Sequence, residues 1–272
     1  MKLSEQFDRL RAQGESALIA YITLGDPSPA ESLAIAQSLI DSGAVDVLEL
    51  GIPFSDPIAD GPVIQAAVDR ALKAGMNTDL AFEIAGALDK RVPIVYLTYY
   101  NIVLQYGVER FAASCSRSGV SGLIVADLPH EESAEVRAAC AKHGVDYINI
   151  VTPNTNEARM RQILDGSSGF VYLVSTMGVT GKRKALSQSL RPVVARAVKA
   201  SGTTPVAVGF GISGPDHVSE VTGMGAAGVI VGSAIVDLIA KGTSAEDLRA
   251  FVRGLMQATR PVAAEPAKKG KK

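Results

Sequence analysis

Two carboxylates, Glu49 and Asp60, sit where their neighbours could turn them into acid–base groups. Glu49 lies inside the run VDVLELG (45–51), in step with Val45 and Val47 on a two-residue period. If those valines face the interior of a sheet, Glu49 does too. Burial disfavours the charged form of a carboxyl group, so its pKa should rise until it can give and take a proton near neutrality. The alternative is a structural glutamate paired with an Arg or Lys, but none of the strand-like runs of the chain carries a basic residue. Asp56 and Asp60 follow in PFSDPIADGP (53–62), where prolines at 53, 57 and 62 restrict the backbone. Asp60 also stands just ahead of Gly61-Pro62, where a helix can begin, so catalysis and helix capping are both open to it. Asp127, at the end of LIVAD, reads as an acceptor for loop amides. Three glycine-rich turns, at 178–181 (GVTG), 209–213 (GFGIS) and 232–234 (GSA), can bring backbone N–H groups close to an anion, with the Ser233 hydroxyl as a further donor.

These groups need a scaffold, and the chain supplies one in a regular pattern. Eight apolar, β-branched runs occupy 17–25, 45–53, 92–100, 122–127, 146–153, 169–176, 205–211 and 226–233. Most are nearly continuous apolar stretches, as strands covered on both faces require. Segments of helical period lie between them, including 28–42, 63–74, 104–118, 131–143 and 189–200. Eight β-then-α units in 272 residues predict an α/β fold: a single-domain (β/α)8 TIM barrel over residues 1–261. An open doubly wound sheet would carry a Gly-x-Gly-x-x-Gly turn after its first strand, and here that turn is LGDPSP. Residues 3–13 predict an extra N-terminal helix over the barrel bottom, and 262–272 a disordered, Lys-rich tail.

Barrels of this kind work at the C-terminal ends of their strands and often hold phosphate after strands seven and eight. Glu49, Asp60 and two of the glycine turns fall there. The net charge of −1 means that any anion is held by local geometry rather than by a basic field, and nucleic acid is not an expected partner. Cys115 and Cys140 read as buried fillers rather than a disulfide or metal pair. His130, His143 and His217 lack ligand-like spacing, so no metal is expected. No lysine lies in a strand run, which disfavours Schiff-base chemistry, and no dinucleotide fingerprint is present. Without a leader-like or membrane-spanning stretch the expected location is cytoplasmic. What remains is a cofactor-free acid–base reaction on a phosphorylated substrate.

The segment LELGIPFSDPIADGP (48–62), with YITLGDP (21–27), Tyr172 ahead of GVTG (178–181), and GFGI (209–212), resembles the tryptophan synthase alpha chain family from about residue 5 to 258. The resemblance implies a lyase of tryptophan biosynthesis that reversibly cleaves indole-3-glycerol phosphate to indole and glyceraldehyde 3-phosphate. It makes Glu49 the acid–base group and Asp60 the acceptor of the indole N–H, with Tyr172 orienting Glu49. The indole pocket would comprise Tyr21, Leu97, Tyr99, Ile124, Ala126, Ile150, Thr180 and Phe210. Phosphate would rest on Gly181, Gly211, Gly232 and Ser233. It further implies an alpha2beta2 heterotetramer with a beta chain that carries pyridoxal phosphate, while this chain carries no cofactor. The loop 53–61 and the segment after Gly181 would move and meet that partner. The alternatives are another phosphate-binding barrel and a silent barrel that only activates a partner. Indoleglycerol-phosphate synthase would need a strand lysine, and the presence of both Glu49 and Asp60 speaks against a silent barrel.

Overall fold

The computed structural model describes residues 1–175, 183–209 and 211–260, the side chains of 183–189 apart. The expectations for Thr180, Gly181, Phe210 and the tail 262–272 lie outside the described residues. From the N-terminus run α1 (Leu3–Gln13), β1 (Ala17–Thr23), α2 (Pro29–Asp41), β2 (Val47–Gly51), α3 (Pro62–Lys73), α4 (Thr78–Ala87) and β3 (Ile94–Thr98). Then come α5 (Tyr100–Tyr106), α6 (Val108–Arg117), β4 (Gly122–Val125), α7 (Ala134–Lys142), β5 (Asp146–Tyr147), β6 (Ile150–Val151) and α8 (Glu157–Asp165). The chain continues through β7 (Val171–Val174), α9 (Arg183–Ser201), β8 (Val206–Gly209), α10 (Pro215–Thr222), β9 (Gly228–Val231), α11 (Ser233–Ala240) and α12 (Ala245–Gln257).

All the strand pairs are parallel, in the order β5-β4-β3-β2-β1-β9-β8-β7-β6. The two outermost strands are halves of the fifth apolar run, parted only by Ile148 and Asn149. Tyr147 stands opposite Leu123 of β4, and Ile150 opposite Tyr172 of β7. Backbone bonds carry the ladder across the gap: the Ile148 N–H donates to the Leu123 carbonyl at 2.9 Å and the Tyr172 N–H to the Asn149 carbonyl at 3.0 Å. Both edges of the sheet are therefore one stretch of chain, and the ring is closed. The expected eight-run barrel is present, its fifth run divided in two.

The strands bury both faces. Leu18, Ala20, Ile22, Leu48, Leu50 and Tyr96 face outward into a layer shared with the helices. Ala17, Ile19, Val47, Val95, Ile124, Phe170, Ala207 and Ile230 fill the interior. The expected extra helix is α1, and its Leu3, Phe7 and Leu10 plug the bottom of that interior. Gly122 leaves room for the plug, since a Cβ there would come within 2.9 Å of Leu3. Asp46 fastens the same end by accepting the Leu18 N–H at 2.9 Å and the Arg260 guanidinium at 3.2 Å.

Some boundaries differ from expectation for local reasons. Val45 does not share the interior with Val47 but joins the outer layer, because β2 starts at Val47 and the two-residue alternation does not reach back past Asp46. The helical stretch 104–118 is two helices, broken at Gly107, whose φ of 89° lies where only glycine is comfortable. The 131–143 stretch is a 3-10 turn, His130–Glu132, followed by α7. Cys115 and Cys140 are free and buried, as fillers should be.

Candidate active site

Glu49 is the third residue of β2, with Tyr21 of β1 on one side and Val95 of β3 on the other. Its side chain points to the barrel interior and is fully buried. Neither Oε1 nor Oε2 has a hydrogen-bond partner among the described residues. Burial pushes its pKa from the ordinary 4.5 up to about 8, and the nearby Asp60 carboxyl adds to the rise. A carboxyl in this state keeps its proton at neutral pH yet can part with it when a base is offered. The guanidinium partner that would have made it structural is not there among the described residues.

Asp60 reaches the same end of the barrel from the loop after β2. Phe54 of that loop stacks on Tyr99, just past β3, with centroids 5.1 Å apart and planes 28° from parallel. The Tyr99 hydroxyl accepts the Ala59 N–H at 3.1 Å and donates to Asp60 Oδ2 at 3.0 Å. Capping is thereby decided against, because Gly61 is the residue before α3 and no side chain caps that helix. Asp60 is half-buried, and burial raises its pKa while the Tyr99 bond draws it back. The last turn of α3 is held by Arg70, whose guanidinium donates to both oxygens of buried Asp26 at 2.7 and 2.8 Å. Neither the Tyr99–Asp60 bond nor the Asp26–Arg70 pair has a local sequence signal, since 39 and 44 residues separate the partners.

The other expected residues fall into four groups. Tyr21 is buried, and Tyr172 of β7 interacts electrostatically with Glu49, Tyr21 and Asp60, which places it at the acid pair. The Tyr172 ring has room because β8 ends in Gly209, where a Cβ would come within 2.7 Å of Cζ. Leu97 and Ile124 line the interior, Leu97 packing with Tyr21. Ala126 and Ile150 line a cavity of about 330 Å³ together with Asp127, Asn149, Thr152 and Arg159. Asp127 accepts the Tyr100 N–H at 2.7 Å, the loop-amide role expected of it. Gly232 precedes α11 and Ser233 opens it, so the free N–H groups of that helix face the strand ends. Gly211 sits beyond β8 with a φ of 73°. A wider groove of about 620 Å³ runs between α8 and α9, and none of the expected site residues lines it. No cluster of three or more His, Cys, Asp and Glu able to hold a metal occurs among the described residues, and no helix among them is long and apolar enough to cross a membrane.

A closed parallel barrel with a buried carboxyl at its mouth, unpaired among the described residues, and a second carboxyl on the adjoining loop defines an α/β-barrel protein equipped for acid–base work. The family described as tryptophan synthase alpha chain matches residues 7–264. The tryptophan synthase alpha chain of Methanosarcina barkeri is 48% identical over 255 residues, 93% of this chain and 95% of that one. A solved tryptophan synthase structure from Mycobacterium tuberculosis superposes with a TM-score of 0.88 at 37% identity, over 96% of this chain and 98% of the other. A chain of the tryptophan synthase complex from Pyrococcus furiosus does so at 0.81 and 38%, over 89% and 98%. This chain belongs to the tryptophan synthase alpha chain family.

Proposed function

We propose that the chain cleaves indole-3-glycerol phosphate reversibly to indole and glyceraldehyde 3-phosphate, with Glu49 as the proton carrier. Protonated Glu49 gives its proton to indole C3. The positive charge that develops on the ring is met by the Asp60 carboxylate through the indole N–H. Glu49, now a carboxylate, takes the proton of the hydroxyl on the carbon bonded to C3. The C3–carbon bond breaks, its electron pair returns to the ring, and an aldehyde is left. The proton given equals the proton taken, so Glu49 ends as it began and the steps call for no cofactor.

The observation that carries this reading is the Glu49 carboxyl itself, fully buried, unpaired and raised to about 8. Tyr172 would steady it, and Tyr21, Leu97, Tyr99, Ile124, Ala126, Ile150, Thr180 and Phe210 would enclose the ring. Gly211, Gly232 and Ser233, with Gly181, would take the phosphate, so that a near-neutral protein binds a dianion through backbone amides. A beta chain carrying pyridoxal phosphate is the expected partner. Ile58, 83% exposed on the loop that carries Asp60, is an apolar tip suited to being covered by it. Residues 1–261 would act as one domain.

The test is indole release by the purified chain, with and without a beta chain. Glu49→Gln should lower turnover by about 10²–10⁴ or more while substrate affinity stays within about tenfold. Asp60→Asn should be similarly crippled. Normal turnover of Glu49→Gln would remove the carboxyl from the chemistry.

A further inference from the structure

Glu49 is buried for a reason that its own strand does not supply. Tyr21, its neighbour across the β1–β2 ladder, leans toward the mouth of the barrel, and its hydroxyl lies 3.3 Å from Thr23 Oγ1, one step further along β1. The ring passes over the ends of both flanking strands, and each of them carries glycine at that point. A Cβ on Gly51, at the end of β2, would stand 2.7 Å from Tyr21 Cζ and 2.8 Å from Cε2. A Cβ on Gly232, just past β9, would stand 3.0 Å from Cδ1. Gly51 has no positive-φ requirement, so its backbone does not explain why the residue is glycine. The space does. On the far side the ring rests on Ala67 of α3 and Val236 of α11, leaving Tyr21 only 6% exposed.

We propose that Gly51 and Tyr21 form a positioning pair, in which the missing Cβ lets the phenol ring roof Glu49 and keep water from its carboxyl. This rests on Glu49 being the proton donor proposed above, and it assigns the donor's poise to Gly51 and to Tyr21, whose ring also belongs to the proposed indole pocket. Among the described residues Asp60 is the titratable group that acts on Glu49, while Asp60, Glu49 and Tyr99 act on Tyr21, and Glu49, Tyr21 and Asp60 on Tyr172; none of them is a cation. Water exclusion is therefore the larger cause that holds the proton in place, with the Asp60 charge adding to it. Opening the roof should let the carboxyl relax toward its ordinary titration.

The experiment follows Glu49 by ¹³C NMR in the full-length, substrate-free chain labelled at glutamate carboxyls, its resonance assigned by its loss in Glu49→Gln. Tyr21→Phe keeps the roof, Tyr21→Leu removes most of it, and Gly51→Ala pushes it aside. In the wild type and Tyr21→Phe the midpoint should lie near 8. In Tyr21→Leu and Gly51→Ala it should fall by about one pH unit or more, with a loss of indole release at neutral pH of about tenfold or more. Cooperative thermal unfolding of each variant establishes that it is folded, and if Gly51→Ala does not fold, Tyr21→Leu decides the matter. Folded Tyr21→Leu and Gly51→Ala with the wild-type midpoint would overturn the roof and leave Glu49 as the donor. An equal fall in Tyr21→Phe would also overturn it, by moving the effect to the hydroxyl. A wild-type midpoint near 4.5 would overturn both the roof and the proposed donor.

Discussion

Replacing Glu49 by glutamine should yield an inactive chain that is more stable than its parent, by an amount that depends on pH. In the folded chain Glu49 titrates at about 8, and in the unfolded chain near its ordinary 4.5. Between those values the native state holds a proton that the unfolded state has released, so folding takes up a proton and stability falls as pH rises. Below 4.5 both states hold the proton and the penalty vanishes; above about 8 neither does and it levels off. At about 1.4 kcal/mol per pH unit, the interval from 4.5 to neutrality corresponds to about 3 kcal/mol at pH 7. Glutamine matches the neutral acid in shape and in its lack of partners, yet it cannot ionise, so it escapes the penalty. Urea unfolding of both chains at pH 5, 6, 7 and 8 checks this through the midpoint at constant m. The two stabilities should nearly coincide at pH 5 and separate steadily toward pH 8, with Glu49→Gln the more stable. Curves that stay parallel would mean that Glu49 is not protonated in the native state, and the proton-donor argument would fail with them.

Two substitutions test the frame around the pair. Tyr99→Phe removes the donor to Asp60 and the acceptor of the Ala59 N–H, so the Asp60 pKa should rise further and the loop should loosen. Loss of one hydrogen bond to a charged group corresponds to about 1.5–3 kcal/mol, and kcat/KM for indole release should drop by about tenfold or more, with its acid limb moved to higher pH. Arg70→Met strands Asp26, whose side chain is only 2% exposed, and should destabilise the fold by about 3 kcal/mol as read by urea midpoint. Arg70→Lys should recover little of that, because a single ammonium cannot reproduce the two-pronged contact.

The barrel was legible because its evidence is local and repeated. Runs such as 122–127 and 205–211 are apolar at every strand position, and only a strand covered on both faces asks for that. Glu49 stood out for the same reason, as an acid interrupting such a run. Asp60 was half legible: its loop was visibly constrained, but the group that holds its carboxyl is Tyr99, which approaches from the next strand. Val45 misled because the two-residue alternation was extended beyond the strand's true start. Asp26 and Arg70 gave no warning, since one lies in a turn and the other on an ordinary amphipathic helix, and only the pairing of β1 with β2 and the packing of α3 against β1 bring them together. Gly51 was visible as a strand-end glycine, but its meaning depends on a ring from the neighbouring strand.

The two carboxyls are chemically alike and are made different by what surrounds them. Asp60 is half-buried and receives a hydrogen bond from Tyr99, so its anion has some support. Glu49 is fully buried and receives none among the described residues. When the first proton leaves the pair it therefore leaves Asp60, and the resulting negative charge makes the second harder to remove from Glu49. In the proposed reaction one member is then the anion that meets a developing cation, and the other the acid that protonates carbon. That division needs the low dielectric of the barrel mouth and no basic residue beside the acids, which is consistent with an interior lined by Val47, Val95 and Ile124.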